Sequence, residues 1–255
     1  MQNHSAELII LGSASAVPTI DHENTHLLVV GRDETLLIDC PNNPVVPLQK
    51  RGFDPLRITH LILTHFHADH VAGVAPFLMS SWLMGRKRPL HIYGLDETLG
   101  RFEKMMELFQ WETWSGLYPI EVHRIPPQPM TLVLQSDQFE VHSSPVRHLI
   151  PTIGLRIRNR WSDESVAYSC DTEPCEEVVE LSQGVKALIH EAVGEYRGHT
   201  SPSQAGEIAR RAGAQALYLI HYPSEDGQIQ DWETLAHSTF DGRVGLAQDG
   251  LKIPF

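Results

Sequence analysis

A chain of 255 residues with 42% hydrophobic content is long enough to bury one large core, and its length fits a single layered α/β-type domain spanning residues 1–255. No apolar run reaches about 18 residues and no basic leader with a small-residue cleavage site opens the chain, so no membrane span is expected and a cytoplasmic protein is. The formal charge of −12 argues against a large nucleic-acid footprint, which rests on clustered Lys and Arg, but leaves room for a small phosphate substrate.

The opening MQNHSAELIILGSASAVPT and the following THLLVVGRDETLLIDCP read as apolar strands separated by turn chemistry at Gly12, Pro18 and Gly31. LRITHLILTH is a short Leu-rich and β-branched run that ends where a histidine-rich loop begins. Beyond the loop, Val71, Val74, Ala75, Leu78, Met79 and Trp82 keep the spacing of one amphipathic helix. A strand over RPLHIYG leads to a second helix whose stripe is Leu99, Phe102, Met105, Met106 and Phe109, with Asp96 as its expected N-cap. The aromatic, turn-rich WETWSGLYP predicts a pocket wall or a dimer contact. IPPQP at 125–129 breaks any regular element.

The second half is strand-dominated: TLVLQ, FEVHSSPV, IGLRIRN, SVAYSCD and KALIHE. A helix then follows, with Ser201 and Gln204 forming a capping box, Pro202 at its first position and Gly213 as its stop. ALYLIH reads as a buried strand ending on His221, and VGLAQDGLKI as a closing hairpin turning at Asp249-Gly250.

Cys40, Cys170 and Cys175 are odd in number and irregular in spacing, which suggests neither a disulfide framework nor a thiolate zinc site. The unusual count is 15 histidines, and three of them fall in His65-Phe66-His67-Ala68-Asp69-His70 at the end of a strand. His65 and His67 can converge on one ion while Asp69 and His70, further round the turn, face a neighbouring one. Imidazole and carboxylate donors suit Zn²⁺, with Mn²⁺ or Fe²⁺ as alternatives. Six residues cannot fill two coordination spheres, so further ligands are required at strand ends downstream. His148, Asp171 and His221 occupy such ends.

These residues resemble the metallo-β-lactamase superfamily, and within it the ribonuclease Z-like phosphodiesterases. The resemblance extends from GSASAVPT and LLIDCP through THFHADHVAG, HLIPTIGLRI, YSCDT, LIHEA, GHTSPSQAGEIARRAG and LYLIH to LAQDGLKI. It implies a four-layer αββα sandwich in which His65, His67 and His148 hold one metal, Asp69, His70 and His221 a second, and Asp171 bridges them. It also implies that Asp39 supports the site from behind, that His199 contacts the scissile phosphate, that Glu191 orients His199, and that a homodimer forms.

One departure matters. Members of that branch that process transfer RNA carry a long flexible arm, typically between the segments matching HLIPTIG and YSCDT, and only 22 residues separate His148 from Asp171 here. A small-molecule or short nucleotide substrate is therefore expected rather than tRNA. The leading expectation is a dinuclear metal-dependent phosphodiesterase in which Asp69 orients the attacking water and His199 stabilises the added negative charge. Hydrolysis of an ester, lactone or thioester is the alternative, because one fold hosts many chemistries and Trp111 and Trp114 could line an apolar pocket. A non-catalytic metal-containing sensor is the third.

Overall fold

The computed structural model describes residues 5–224 and 231–255; the first four residues of the opening segment lie outside them. Two seven-stranded sheets stack face to face. The first begins with β1 (Glu7–Gly12), β2 (His26–Val30) and β3 (Thr35–Ile38). After a short helix α1 (Val45–Lys50) it continues through β4 (His60–Ile62), β5 (Leu90–Leu95) and β6 (Ile120–Ile125). The second contains β7 (Thr131–Gln135), β8 (Phe139–Val146), β9 (Thr152–Asn159), β10 (Ser165–Tyr168), β11 (Ala187–Glu191), β12 (Ala216–Ile220) and β13 (Arg243–Leu246). The last strand, β14 (Lys252–Pro254), returns to the first sheet, giving the orders β14-β1-β2-β3-β4-β5-β6 and β13-β12-β11-β10-β9-β8-β7.

Both sheets are built alike, antiparallel on one side and parallel on the other: β3 to β6 run parallel, as do β10 to β13. Parallel strands buried on both faces need near-continuous apolar sequence rather than alternation. Leu8, Ile10, Leu27, Ile38 and Ile62 meet Val141, Leu155, Ile157, Ile189 and Ile220 between the sheets. The alternate residues of the first sheet, Ile9, Leu28, Leu37, Leu61 and Ile92, face α3 (Val74–Leu83) and α4 (Asp96–Leu108). Leu188, Leu217 and Leu219 face α5 (Glu176–Leu181) and α6 (Pro202–Ala212). The result is the αββα sandwich. No helix among the described residues is long and apolar enough to cross a membrane.

Several local expectations are corrected. The stripe from Val71 to Trp82 is carried by two helices, α2 (Ala68–Val71) and α3, not one. The break falls at Gly73, where the backbone passes so close to Asn42 that a Cβ would lie 2.0 Å from its carbonyl oxygen. Asp96 is the first helical residue rather than the cap; Leu95 holds the cap position, and the Asp96 carboxylate accepts from Arg124 Nε at 2.8 Å. It still favours the helix through its place in the first turn.

The closing hairpin does not form. β13 pairs parallel with β12 while β14 pairs antiparallel with β1, so the segment around Asp249-Gly250 crosses between sheets. Asp249 accepts from Ser13 Oγ at 2.8 Å and from the Glu23 amide at 2.9 Å. The tryptophans of WETWSGLYP pack into the helix layer: Trp114 stacks on Trp82 at 5.6 Å, and Trp111 meets Phe102 in a T-shaped contact at 5.9 Å. β6, absent from the sequence reading, occupies the edge of the first sheet.

Candidate metal centre

The loop that leaves β4 carries the first set of candidate donors to the end of the sandwich. His65 Nε2 lies 3.1 Å from His67 Nδ1, and His148 Nε2 lies 3.2 Å from the same His67 nitrogen. Three donors 2.0–2.1 Å from a tetrahedral ion stand about 3.3 Å apart, so this triangle has the size of a coordination face. Beside it, His70 Nε2 is 3.7 Å and His221 Nε2 is 4.0 Å from Asp69 Oδ2, forming a second, wider triangle. Asp171 lies between the two. One carboxylate oxygen is 3.2 Å from His221 Nε2 and 3.8 Å from His148 Nε2, and the other is 3.6 Å from His70 Nε2. All seven residues expected to gather at one place do so.

Two of the rings, His70 and His148, are held by partners on their outward side. Asp39 is fully buried and takes the Thr64 amide on Oδ1 at 2.8 Å, the Thr64 hydroxyl on Oδ2 at 2.8 Å, and His70 Nδ1 on Oδ2 at 2.8 Å. That bond turns His70 Nε2 inward and fixes its tautomer. His148 Nδ1 donates to the Gly198 carbonyl at 2.8 Å, and Gly198, at φ +83°, has the backbone conformation that places this carbonyl. Three of the non-glycine residues at positive φ belong to this region, namely Asp39, Cys170 and His221. Left-handed backbone at such residues costs free energy and concentrates where a site over-determines it.

Electrostatics separates the rings. Burial pulls the pKa of His65 well below the ordinary value and lowers those of His67 and His148, which keeps all three neutral with lone pairs available. His199 shifts the other way: burial opposes its charge, but the hydrogen bond and negative charge of Glu191 outweigh burial and raise it. His199 Nδ1 meets Glu191 Oε1 at 3.0 Å. Glu191 is wholly buried, and burial pushes its pKa up; the His199 ring, the Thr172 amide on Oε1 and the Val193 amide on Oε2, the two amides each at 3.0 Å, donate to it and offset part of that cost. His199 packs edge-on against His148 with ring centres 5.1 Å apart, and it precedes α6, whose capping box is present as expected.

The donor set fits divalent cations on an independent observation. His70 Nε2 and Asp171 Oδ1 are buried without a hydrogen-bond partner, yet they face each other at 3.6 Å, too far for a bond. Buried polar atoms left so are costly unless something between them satisfies both. Sequence reasoning missed the contribution of Thr64 and of Cys170, whose Sγ is 3.5 Å from His65 Nδ1. It also missed Ser13, whose hydroxyl lies 2.8 Å from His22 Nδ1. GSASAVPT and LAQDG were visible as segments, but nothing local said that they meet.

A two-sheet sandwich with helices outside and a histidine-rich loop at the end of a parallel strand defines a metal-dependent hydrolase of the metallo-β-lactamase fold. Comparison with known proteins agrees. A ribonuclease Z from Mycolicibacterium gilvum is 30% identical over 95% of this chain and 94% of its own. The metallo-β-lactamase fold protein YhfI from Bacillus subtilis superposes with a TM-score of 0.82 at 24% identity, covering 98% of this chain and 99% of its own. The short form of human tRNase Z gives 0.78 at 23%, covering 97% and 98%. The chain belongs to the ribonuclease Z-like branch of that superfamily, and residues 6–244 match the family described as anti-Pycsar protein Apyc1.

Proposed function

We propose that this protein is a phosphodiesterase acting on a small phosphodiester, nucleotide-sized or a short RNA-derived fragment, at a centre for two divalent ions, with zinc as the expected metal. In this reading His65, His67 and His148 hold one ion, Asp69, His70 and His221 the other, and Asp171 both. When bound, the ions supply Lewis-acid polarisation of a phosphoryl oxygen and acidify water.

The observation that carries the substrate class is the buried Glu191 beneath His199. With Nδ1 committed to that carboxylate, Nε2 is the atom His199 offers to substrate, and the Glu191 bond and charge raise its pKa, which favours the protonated, donating ring. A cationic donor set beside the ligand cluster favours a transition state that gains negative charge on phosphoryl oxygens. Asp69 is the most exposed carboxylate of the cluster, with 18% of its side chain accessible, and is placed to orient the attacking water and take its proton.

The segment between His148 and Asp171 supports a small substrate. It is consumed by β9, a tight turn and β10, paired antiparallel, and so supplies no arm to grip a tRNA. The ester or lactone alternative loses its main support, because the tryptophans expected to line an apolar pocket pack into the helix-layer core. A homodimer belongs to the same proposal, with Leu108 and Phe109 rather than the buried Phe102, Met106 and Trp114 as its apolar surface.

The test is turnover of bis(p-nitrophenyl) phosphate beside a nitrophenyl ester and a lactone, with zinc or manganese, on wild type and His199→Ala. Metal-dependent phosphodiester cleavage that falls at least about tenfold in the variant, ~1.4 kcal/mol of barrier, is the expected outcome. Ester or lactone turnover indifferent to His199, without phosphodiester cleavage, would overturn the reading.

A further inference from the structure

A second group of histidines lies at the opposite end of the same strands, outside the cluster described above. His60 opens β4, five positions before His65, which places it roughly 15 Å back along the strand direction. Pairing sets His60 beside His91 and His91 beside Glu121, with Tyr93 beside His123 one step along. Because strand side chains alternate between faces, His60, His91, Glu121 and His123 share a face, while Leu61, Ile92 and Val122 point to the helix layer.

His91 Nδ1 lies 3.1 Å from His123 Nε2 and 3.2 Å from Glu121 Oε2. A single ring nitrogen carries either one proton or one lone pair, so it cannot bond fully to both partners. A cation shared by all three resolves that competition, and the separations match the donor spacing of about 3.3 Å around a tetrahedral zinc. The ring of His60 stacks on His91 at 5.2 Å, and Tyr93 stacks on His123 at 4.6 Å, so the two imidazoles are held edge-in by aromatic faces. The Nδ1 of His60 is taken by Thr59 Oγ1 at 2.8 Å, making His60 a wall rather than a donor through that atom. His91 is 32% and Glu121 49% exposed, so an ion has access and water can fill the remaining position.

We propose that His91, Glu121 and His123 form a separate binding site for one divalent transition-metal ion, which clamps the edge strand β6 to β5. Two imidazoles and one carboxylate select the zinc, nickel and copper end of the divalent series over magnesium or calcium. Edge strands expose unpaired backbone groups, and a cross-strand ion fixes such an edge where hydrogen bonding on one side cannot. The site does not depend on the phosphodiesterase reading, because it shares no residue with the catalytic cluster.

The test is metal content. Chelator-stripped chains of wild type, His123→Ala and Glu121→Gln would be equilibrated at a buffered micromolar free zinc concentration and analysed for zinc per chain, with thermal unfolding followed on the same samples. Both variants are expected to hold about one ion fewer than wild type and to lose part of the zinc-dependent rise in melting temperature, with any phosphodiester turnover within about twofold of wild type. Equal zinc content in all three chains would overturn the proposal. So would loss of zinc accompanied by loss of turnover, since the missing ion would then come from the catalytic cluster. Glu121→Gln keeps the size of an exposed side chain, so its result stands even where His123→Ala fails to fold.

Discussion

The two ends of the parallel half of the first sheet carry the same residue types held in different ways. At the loop end His70 and His148 each have one nitrogen committed to a fixed outer partner, the Asp39 carboxylate and the Gly198 carbonyl, and the other nitrogen turned inward. At the far end His91 and His123 are positioned by each other and by the stacked rings of His60 and Tyr93. The first arrangement is preorganised before any ion arrives, and the second relies on the ion to settle it. Outer partners of metal ligands are worth one to two orders of magnitude in affinity, so on the proposed readings the loop end favours tight occupation and chemistry and the far end weaker, structural occupation.

The largest effect is expected from Asp171→Ala. Removing the one carboxylate that faces both triangles should lower kcat/KM on a phosphodiester by on the order of a thousandfold, ~4 kcal/mol, while leaving the His91 site loaded. Steady-state kinetics with metal analysis checks both halves, and a loss below about tenfold would mean that the two triangles work without a bridge. Asp39→Asn sharpens the contrast, since it weakens the grip on His70 without touching an inward-facing donor. Zinc affinity at the loop end should fall by roughly 10–100-fold in a competition titration with a chromophoric chelator, and an unchanged affinity would remove the argument from outer partners.

A further effect, of similar size for each ring, concerns acid stability. Burial brings both His60 and His190 from the ordinary 6.5 down to about 4, helped at His60 by the charges of His91, His123 and Arg88. Between those values the unfolded chain binds protons that the folded chain refuses, so stability that is complete above pH 6.5 is lost as the pH falls toward 4. Each ring should contribute on the order of 1–3 kcal/mol to that loss. Denaturant midpoints at pH 7 and pH 5 on wild type and His190→Asn read it directly; the variant should show the shallower decline, and an identical decline would clear His190 of any part in it.

Much of this was legible along the chain. Strands such as FEVHSSPV, through its opening alternation, and ALYLI, through its short buried apolar run, announce themselves, and so does α6, because its capping box and glycine stop are local signals. The HFHADH loop was legible because ligand spacing within one turn is itself local chemistry. β6 was not, since its edge position leaves Glu121, His123 and Arg124 in a strand with little apolar pattern. The Asp249-Gly250 turn was recognised as a turn and misread as a hairpin, because turn chemistry bends the chain without saying which edges its flanks will join.

The sequence by itself determined the donor types, their places at strand ends and the layered order of elements, because each depends on residues within a few positions of one another. Only the tertiary structure decided which donors meet. It brought Asp171 between the two triangles, put Glu191 under His199, and set His91 against Glu121 and His123. Most of those contacts join segments distant in sequence, which meet only through sheet pairing and chain crossing and not through any residue's own preference.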